Sequence, residues 1–128
     1  MTTPRRRVGA PRVGFCARID PRLAAEVRHT AATRGMPNWW VIQEALRQGL
    51  HLLPAPGDEA VPRSAYLGRR DGRRAHEDLF VNVAPELVEE VRQARGSSFN
   101  QWWVVQEAIR QGLPLLPASE QEVLPHSA

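Results

Sequence analysis

Arginine is the side chain with which this sequence is best equipped to do chemistry. All 17 basic residues of the 128-residue chain are Arg, set against 14 acidic residues, for a formal charge of +3. Guanidinium forks stay charged and match carboxylates, phosphates and the planar edges of bases. Two clusters stand out: Arg5, Arg6, Arg7 and Arg12 near the N-terminus, and Arg69, Arg70, Arg73 and Arg74 in mid-chain. Catalysis has no comparable foothold. His29, His51, His76 and His126 have no ligand spacing and do not recur at equivalent positions. Cys16 is the only cysteine, which excludes an internal disulfide and a Cys-based zinc cluster, and no partner that would make it a redox sensor is evident in the sequence. Glu44 and Glu107 precede Arg47 and Arg110 by three residues, the spacing of helix-surface ion pairs rather than of acid catalysts. There is no repeated nucleophile–base arrangement, no Gly-rich phosphate loop and no paired carboxylates with an obvious pocket. The expectation is a non-enzyme that needs no cofactor and no metal.

The clusters need elements to position them. The composition (42% hydrophobic, 6% aromatic, 24% charged) is that of a globular protein. The length allows one domain, or two halves too small to fold separately. No apolar run approaches the ~18 residues of a membrane-spanning helix, so the expectation is a cytoplasmic protein with no membrane partner. Charge is unevenly placed. Residues 1–53 hold nine Arg against three acids, whereas residues 77–128 hold three Arg against eight. Attraction for phosphate therefore concentrates in the first half.

A duplication organises the chain. Trp39-Trp40-Val41-Ile42-Gln43-Glu44-Ala45-Leu46-Arg47-Gln48-Gly49-Leu50 recurs as Trp102-Trp103-Val104-Val105-Gln106-Glu107-Ala108-Ile109-Arg110-Gln111-Gly112-Leu113, with ten of 12 positions identical. Upstream, Pro21, Leu23, Val27 and Arg28 return as Pro85, Leu87, Val91 and Arg92. The expected organisation is a basic arm at 1–12, a first repeat at 13–53, a Pro/Gly/Arg-rich linker at 54–77, a second repeat at 78–116 and a disordered tail at 117–128. Two copies of one small unit are expected to share a core.

Each repeat has the same order of elements. Val13, Phe15, Ala17 and Ile19 alternate with Gly14, Cys16 and Arg18, as Leu79, Val81 and Val83 alternate with Asp78, Phe80 and Asn82; a period of two predicts half-buried strands. Pro21 and Pro85 suit first helical positions, with Asp20 able to cap one and Ala84 unable to cap the other. Gly35 and Gly96 are placed to end these helices, the second about one turn shorter. A further helix begins near Asn38, and Ser98-Phe99-Asn100-Gln101 fits a capping box at its counterpart. Trp39, Ile42, Ala45, Leu46 and Gly49 form an apolar arc, matched by Trp102, Val105, Ala108, Ile109 and Gly112; both glycines are expected to terminate their helices.

Strand, Pro-led helix, Gly-containing turn and a helix reading Gln-Glu-Ala-Leu-Arg-x-Gly-Leu resemble the ribbon–helix–helix family. Ser98-Phe99-Asn100-Gln101-Trp102 looks especially like the turn and second-helix start of its antitoxin-type members. The resemblance covers residues 13–53 and 78–116. It implies a mainly α fold with a short antiparallel two-stranded ribbon, two ribbon-helix-helix units sharing one core as a single-chain pseudo-dimer, and a ribbon that enters the major groove of double-stranded DNA. With the apolar strand residues facing the core, Gly14, Cys16, Arg18, Asp78, Phe80 and Asn82 are expected to face bases. Arg18 suits guanine, Asn82 adenine, Phe80 a thymine methyl and Asp78 a cytosine amine. A slip of one residue would exchange both faces. Phosphate contacts are expected from Arg5, Arg6, Arg7, Arg12, Arg69, Arg70, Arg73 and Arg74, and from the helix starts at Asn38, Ser98, Asn100 and Gln101. Trp40 and Trp103 fall on the polar side of a helical wheel and are expected as exposed indoles at a partner interface, including self-association of pseudo-dimers.

The reading is thus a sequence-specific DNA-binding transcriptional regulator, a repressor, with unlike half-sites. An alternative keeps the fold and makes a protein partner primary, as in an antitoxin bound to a toxin. A third is a helix–turn–helix or all-helical interaction repeat, although the second helix devotes most of its circumference to apolar residues.

Overall fold

Alternation of apolar and polar residues draws Val13–Ile19 (β1) and Glu77–Val83 (β2) into two extended segments. They pair antiparallel, with Val13 opposite Val83, Cys16 opposite Phe80 and Ile19 opposite Glu77. The computed structural model describes residues 11–67 and 75–117. Arg5, Arg6, Arg7, Arg69, Arg70, Arg73, Arg74 and the tail from residue 118 onward, with the roles expected of them, lie outside the described residues.

Pro21–Arg34 (α1) follows β1, and Asn38–Gly49 (α2) follows α1; Pro85–Arg95 (α3) and Gln101–Gly112 (α4) repeat the order after β2. The described chain is mainly helical, with these four α-helices and one short antiparallel sheet. None of the helices is long and apolar enough to cross a membrane. Local chemistry explains the ends. Asp20 accepts the Arg22 amide at 2.7 Å and caps α1, whereas Ala84 supplies no side-chain cap to α3. Gly35 ends α1 at φ 66°, a left-handed conformation that favours glycine. α1 has 14 residues and α3 has 11, the expected difference of about one turn.

Burial joins the two repeats. α2 packs along α4, α4 packs on β1 and α2 packs on β2. Ile19, Val27, Val41, Ile42 and Leu46 are fully buried with Val83, Leu87, Val91, Val104, Val105 and Ile109. One hydrophobic cluster therefore draws on both halves of the sequence.

Two reciprocal features lock this packing, and sequence reading missed both. Gln43 Oε1 accepts the Ala84 amide at 2.8 Å, and Gln106 Oε1 accepts the Asp20 amide at 2.8 Å. Each glutamine, from the second helix of one repeat, thus satisfies a backbone donor at the strand–helix junction of the other. Removing such an acceptor leaves a partly buried N–H unpaired, at a cost of about 1–3 kcal/mol. The duplicated Gln-Glu pair was the available signal. The second feature concerns the helix-end glycines, at which α2 and α4 end as expected. Gly49 (φ −87°, ψ −24°) and Gly112 (φ −86°, ψ −22°) keep right-handed helical geometry, and short 3-10 turns continue from them. A Cβ on Gly49 would lie 1.8 Å from the Ala108 carbonyl oxygen, and one on Gly112 would lie 1.9 Å from that of Ala45. These glycines let the backbones of α2 and α4 touch.

The segment between the repeats is partly folded. Val61 and Ala65 are buried, Arg63–Ala65 forms a 3-10 turn, and Tyr66 makes an antiparallel bridge to Phe99. This overturns the capping box expected at Ser98–Gln101. α4 starts at Gln101 with Asn100 as its N-cap residue, and neither has the predicted reciprocal bonds. Asn100 Nδ2 donates instead to the carbonyls of Ser64 and Tyr66, both at 3.0 Å, while its amide donates to the Ala65 carbonyl at 2.7 Å. The equivalent position in the first repeat is Pro37, which has no amide side chain to form such a clasp.

The expected pair of exposed indoles is also corrected. Trp103 is buried at 4% exposure, and Trp40 is half-buried against the core. The helical wheel turns Trp103 away from α2, but Phe99 stacks on it at 5.0 Å and Tyr66 on Phe99 at 5.5 Å. Conversely Trp39, expected in the core, is half-buried and carries Arg12 on its ring at 3.8 Å.

Candidate nucleic-acid interface

The antiparallel register brings six polar or solvent-facing positions to one face. Gly14 lies opposite Asn82, Cys16 opposite Phe80 and Arg18 opposite Asp78. Phe15, Ala17, Leu79 and Val83 point into the core on the other face. Gly14, Arg18, Phe80 and Asn82 are exposed, and Cys16 and Asp78 are half-buried. All six residues expected at bases thus share the outward face, because period-two alternation holds in both strands and the pairing preserves it. β2 starts one residue earlier than expected, at Glu77, whose carboxylate forms an ion pair with Arg28.

The ends of this face differ in chemistry. At one end, Arg18 Nε donates to Asp78 Oδ1 at 2.9 Å and Nη2 donates to Oδ2 at 3.4 Å. This side-on pairing uses two of the five N–H donors, so the guanidinium is oriented without using its whole fork. The Asp78 carboxylate, expected at a cytosine amine, is bound to Arg18, with His76 Nε2 3.9 Å away. The hydrogen bond from Arg18 holds the Asp78 carboxyl below the usual carboxylate range. At the centre, Phe80 is 77% exposed. Across from it, partial burial and then the nearby Asp78 charge push the Cys16 thiol above its ordinary value, partly offset by Arg18, so the thiol is neutral near pH 7. Asn82 occupies the other end.

The depressed Asp78 value has a direct consequence. The pair is intact above the ordinary carboxylate range, and its contribution is lost as pH falls through the lowered folded value. In a carbon-13 carboxyl titration, Asp78 is expected to titrate below a reference aspartate. In Arg18→Ala it should move back up; an unmoved midpoint would show that the Arg18 bond is not what holds it down.

The flanks are unequal as well. Asn38 is exposed at the start of α2, whose N-cap residue, Pro37, provides no side-chain bond. Arg12, stacked on Trp39, sits beside this start. Unfilled N–H groups, the positive end of the helix dipole and a guanidinium there all favour an anion. At α4 the corresponding place is occupied. Asn100 is tied to residues 64–66, and the Ser98 carbonyl accepts the Leu67 amide at 2.8 Å. Asn100 is therefore a clasp rather than an open phosphate donor, a correction caused by the folding of residues 61–67 over it. Gln101 remains exposed at the start of α4.

Comparison of the chain with family models, curated proteins and solved structures finds no match. The chemistry of the site therefore rests on the residues themselves. No three His, Cys, Asp or Glu side chains among the described residues are grouped to hold a metal ion. What the face offers is a row of side chains of unlike type: an amide, an aromatic ring and an oriented guanidinium.

Proposed function

We propose that this chain is a sequence-specific DNA-binding transcriptional regulator, acting as a repressor. In this reading the two repeats are ribbon–helix–helix units that share one core and form a pseudo-dimer within a single polypeptide. The observation that carries it is the gathering of Gly14, Cys16, Arg18, Asp78, Phe80 and Asn82 on the outward face of one antiparallel ribbon. A two-stranded ribbon fits the width of the major groove and presents alternate side chains to base edges. The α2–α4 pair behind it supplies a rigid backing, and Arg12 with the open start of α2 supplies a backbone contact at one flank.

The outward residues of β1 and β2 differ, so the two half-sites should be unlike. Selection from a random duplex pool by the full chain, near about 150 mM salt, tests this. Enrichment of one short motif with unlike halves is expected. Binding that vanishes with added salt and enriches nothing would leave only phosphate attraction and refute specific recognition.

A protein-partner reading has one observation in its favour. Leu52 and Leu115 stand at equivalent positions of the two repeats and are 46% and 49% exposed. Co-purification of a stoichiometric protein by a chain that selects no DNA motif would favour it.

A further inference from the structure

Gly14 is a glycine that the fold does not require. It lies inside β1, has no left-handed backbone, and a Cβ built on it would meet only Asn82 Oδ1, at 3.8 Å, an ordinary contact. Glycine in a strand interior weakens the strand, and where packing does not demand it, it often marks the close approach of a ligand. Beside this gap stands Phe80, 77% exposed, an aromatic ring whose face is left in water at a cost that burial would remove. Gly14, Cys16, Phe80 and Asn82, with parts of Phe15 and Val81, line a shallow groove on the outward face. Its centre is apolar: a glycine, an uncharged thiol and a phenyl ring. The polar groups, Asn82 and the Arg18–Asp78 pair, stand at its two ends.

We infer that this notch is a methyl-recognition site, and that Phe80 and Gly14 select a pyrimidine carrying a C5-methyl group in the major groove. The inference rests on the DNA-binding reading above and specifies its central contact. In the major groove the pyrimidine methyl is the one apolar group that base pairs present; thymine carries it, and methylated cytosine carries the same group. A ring on one side and a missing side chain on the other leave room for a methyl group, and a β-branched residue at position 14 would take up part of that room. The backbone of Gly14 thereby becomes part of the specificity surface, although it has no side chain to make a contact.

The test uses the duplex selected by the full chain. Each thymine is replaced in turn by deoxyuridine, which deletes only the methyl, and each cytosine in turn by 5-methylcytosine, which adds it. One or two central positions should respond, thymine replacement weakening binding about four-fold, the worth of one buried methyl. If thymines are silent and a methylated cytosine strengthens binding by a similar factor, methylated cytosine is the source of the group. Gly14→Val should keep the unfolding midpoint at or above that of the parent, since the site has room and valine favours strands, yet lose the methyl response. Phe80→Ala should lose it too. A selected duplex bound equally with and without every methyl, or a Gly14→Val protein that still discriminates, overturns the inference and leaves DNA binding standing. Failure to select any duplex overturns both.

Discussion

Gly49→Ala is expected to destabilise the protein by about 3 kcal/mol or more, although alanine is the better helix former by about 1 kcal/mol. The sign is decided by what the new methyl meets. Its position is 1.8 Å from the Ala108 carbonyl oxygen and 2.6 Å from the carbonyl carbon, all backbone of α4. A side chain could rotate away, but a helix backbone cannot, so α2 and α4 would have to separate by roughly 1 Å along their contact. That opens the shared core around Ala45 and Ala108, both fully buried. Gly112→Ala should behave alike through Ala45. The double variant should cost less than the sum, because one separation relieves both clashes. Urea denaturation measures all three. A Gly49→Ala midpoint equal to the parent's would mean that the helices do not cross at this point.

Arg18→Ala and Asn82→Ala are expected to weaken binding to the selected duplex by about 10- to 100-fold each, with preference lost at one base position in each case. Arg18 should read guanine with the edge that Asp78 leaves free; Asp78→Asn keeps the shape but loosens the orientation, so a smaller loss of the same preference is expected. Arg18 and Asn82 stand four residues apart along the ribbon, since Asn82 lies opposite Gly14. At ~3.3 Å per residue that is about 13 Å, close to four base steps, so the two affected positions should be separated by about that distance. Arg12→Ala should instead weaken all sequences similarly and reduce the salt dependence by about one charge. Binding assays against single-base variants distinguish these patterns. If Arg18→Ala weakened all duplexes equally, Arg18 would be a phosphate contact and the ribbon would not be reading bases through it.

Much of this arrangement is legible in the sequence. Pro21 and Pro85 marked helix starts, Asp20 a cap and Gly35 a left-handed end, because each acts within a few residues of itself. The parity of Gly14, Cys16 and Arg18 against Phe15 and Ala17 survived folding because a strand buried on one face cannot slip by one residue without exposing its apolar set. The misreadings occur where partners are distant in sequence. Ser98 and Gln101 fit a local capping box, but Asn100 finds the carbonyls of Ser64 and Tyr66 first, and the helix starts elsewhere. Its own helix alone places Trp103 outward; Phe99 covers it, with Tyr66 packed on Phe99.

By itself the sequence determined the duplication, the strand–helix–helix order and the outward face of each strand, since hydrophobic periodicity and backbone stereochemistry are properties of neighbouring residues. Only the tertiary structure decided how the copies meet. The crossing of Gly49 with Ala108, the exchange of Gln43 and Gln106 across the repeats, and the closing of one helix start by residues 61–67 all join atoms far apart along the chain. So does the pairing of Arg18 with Asp78, which turns an outward charge into an oriented one. Such contacts depend on strand register and on the path of the connecting segment, and packing energy selects them only when the whole core assembles.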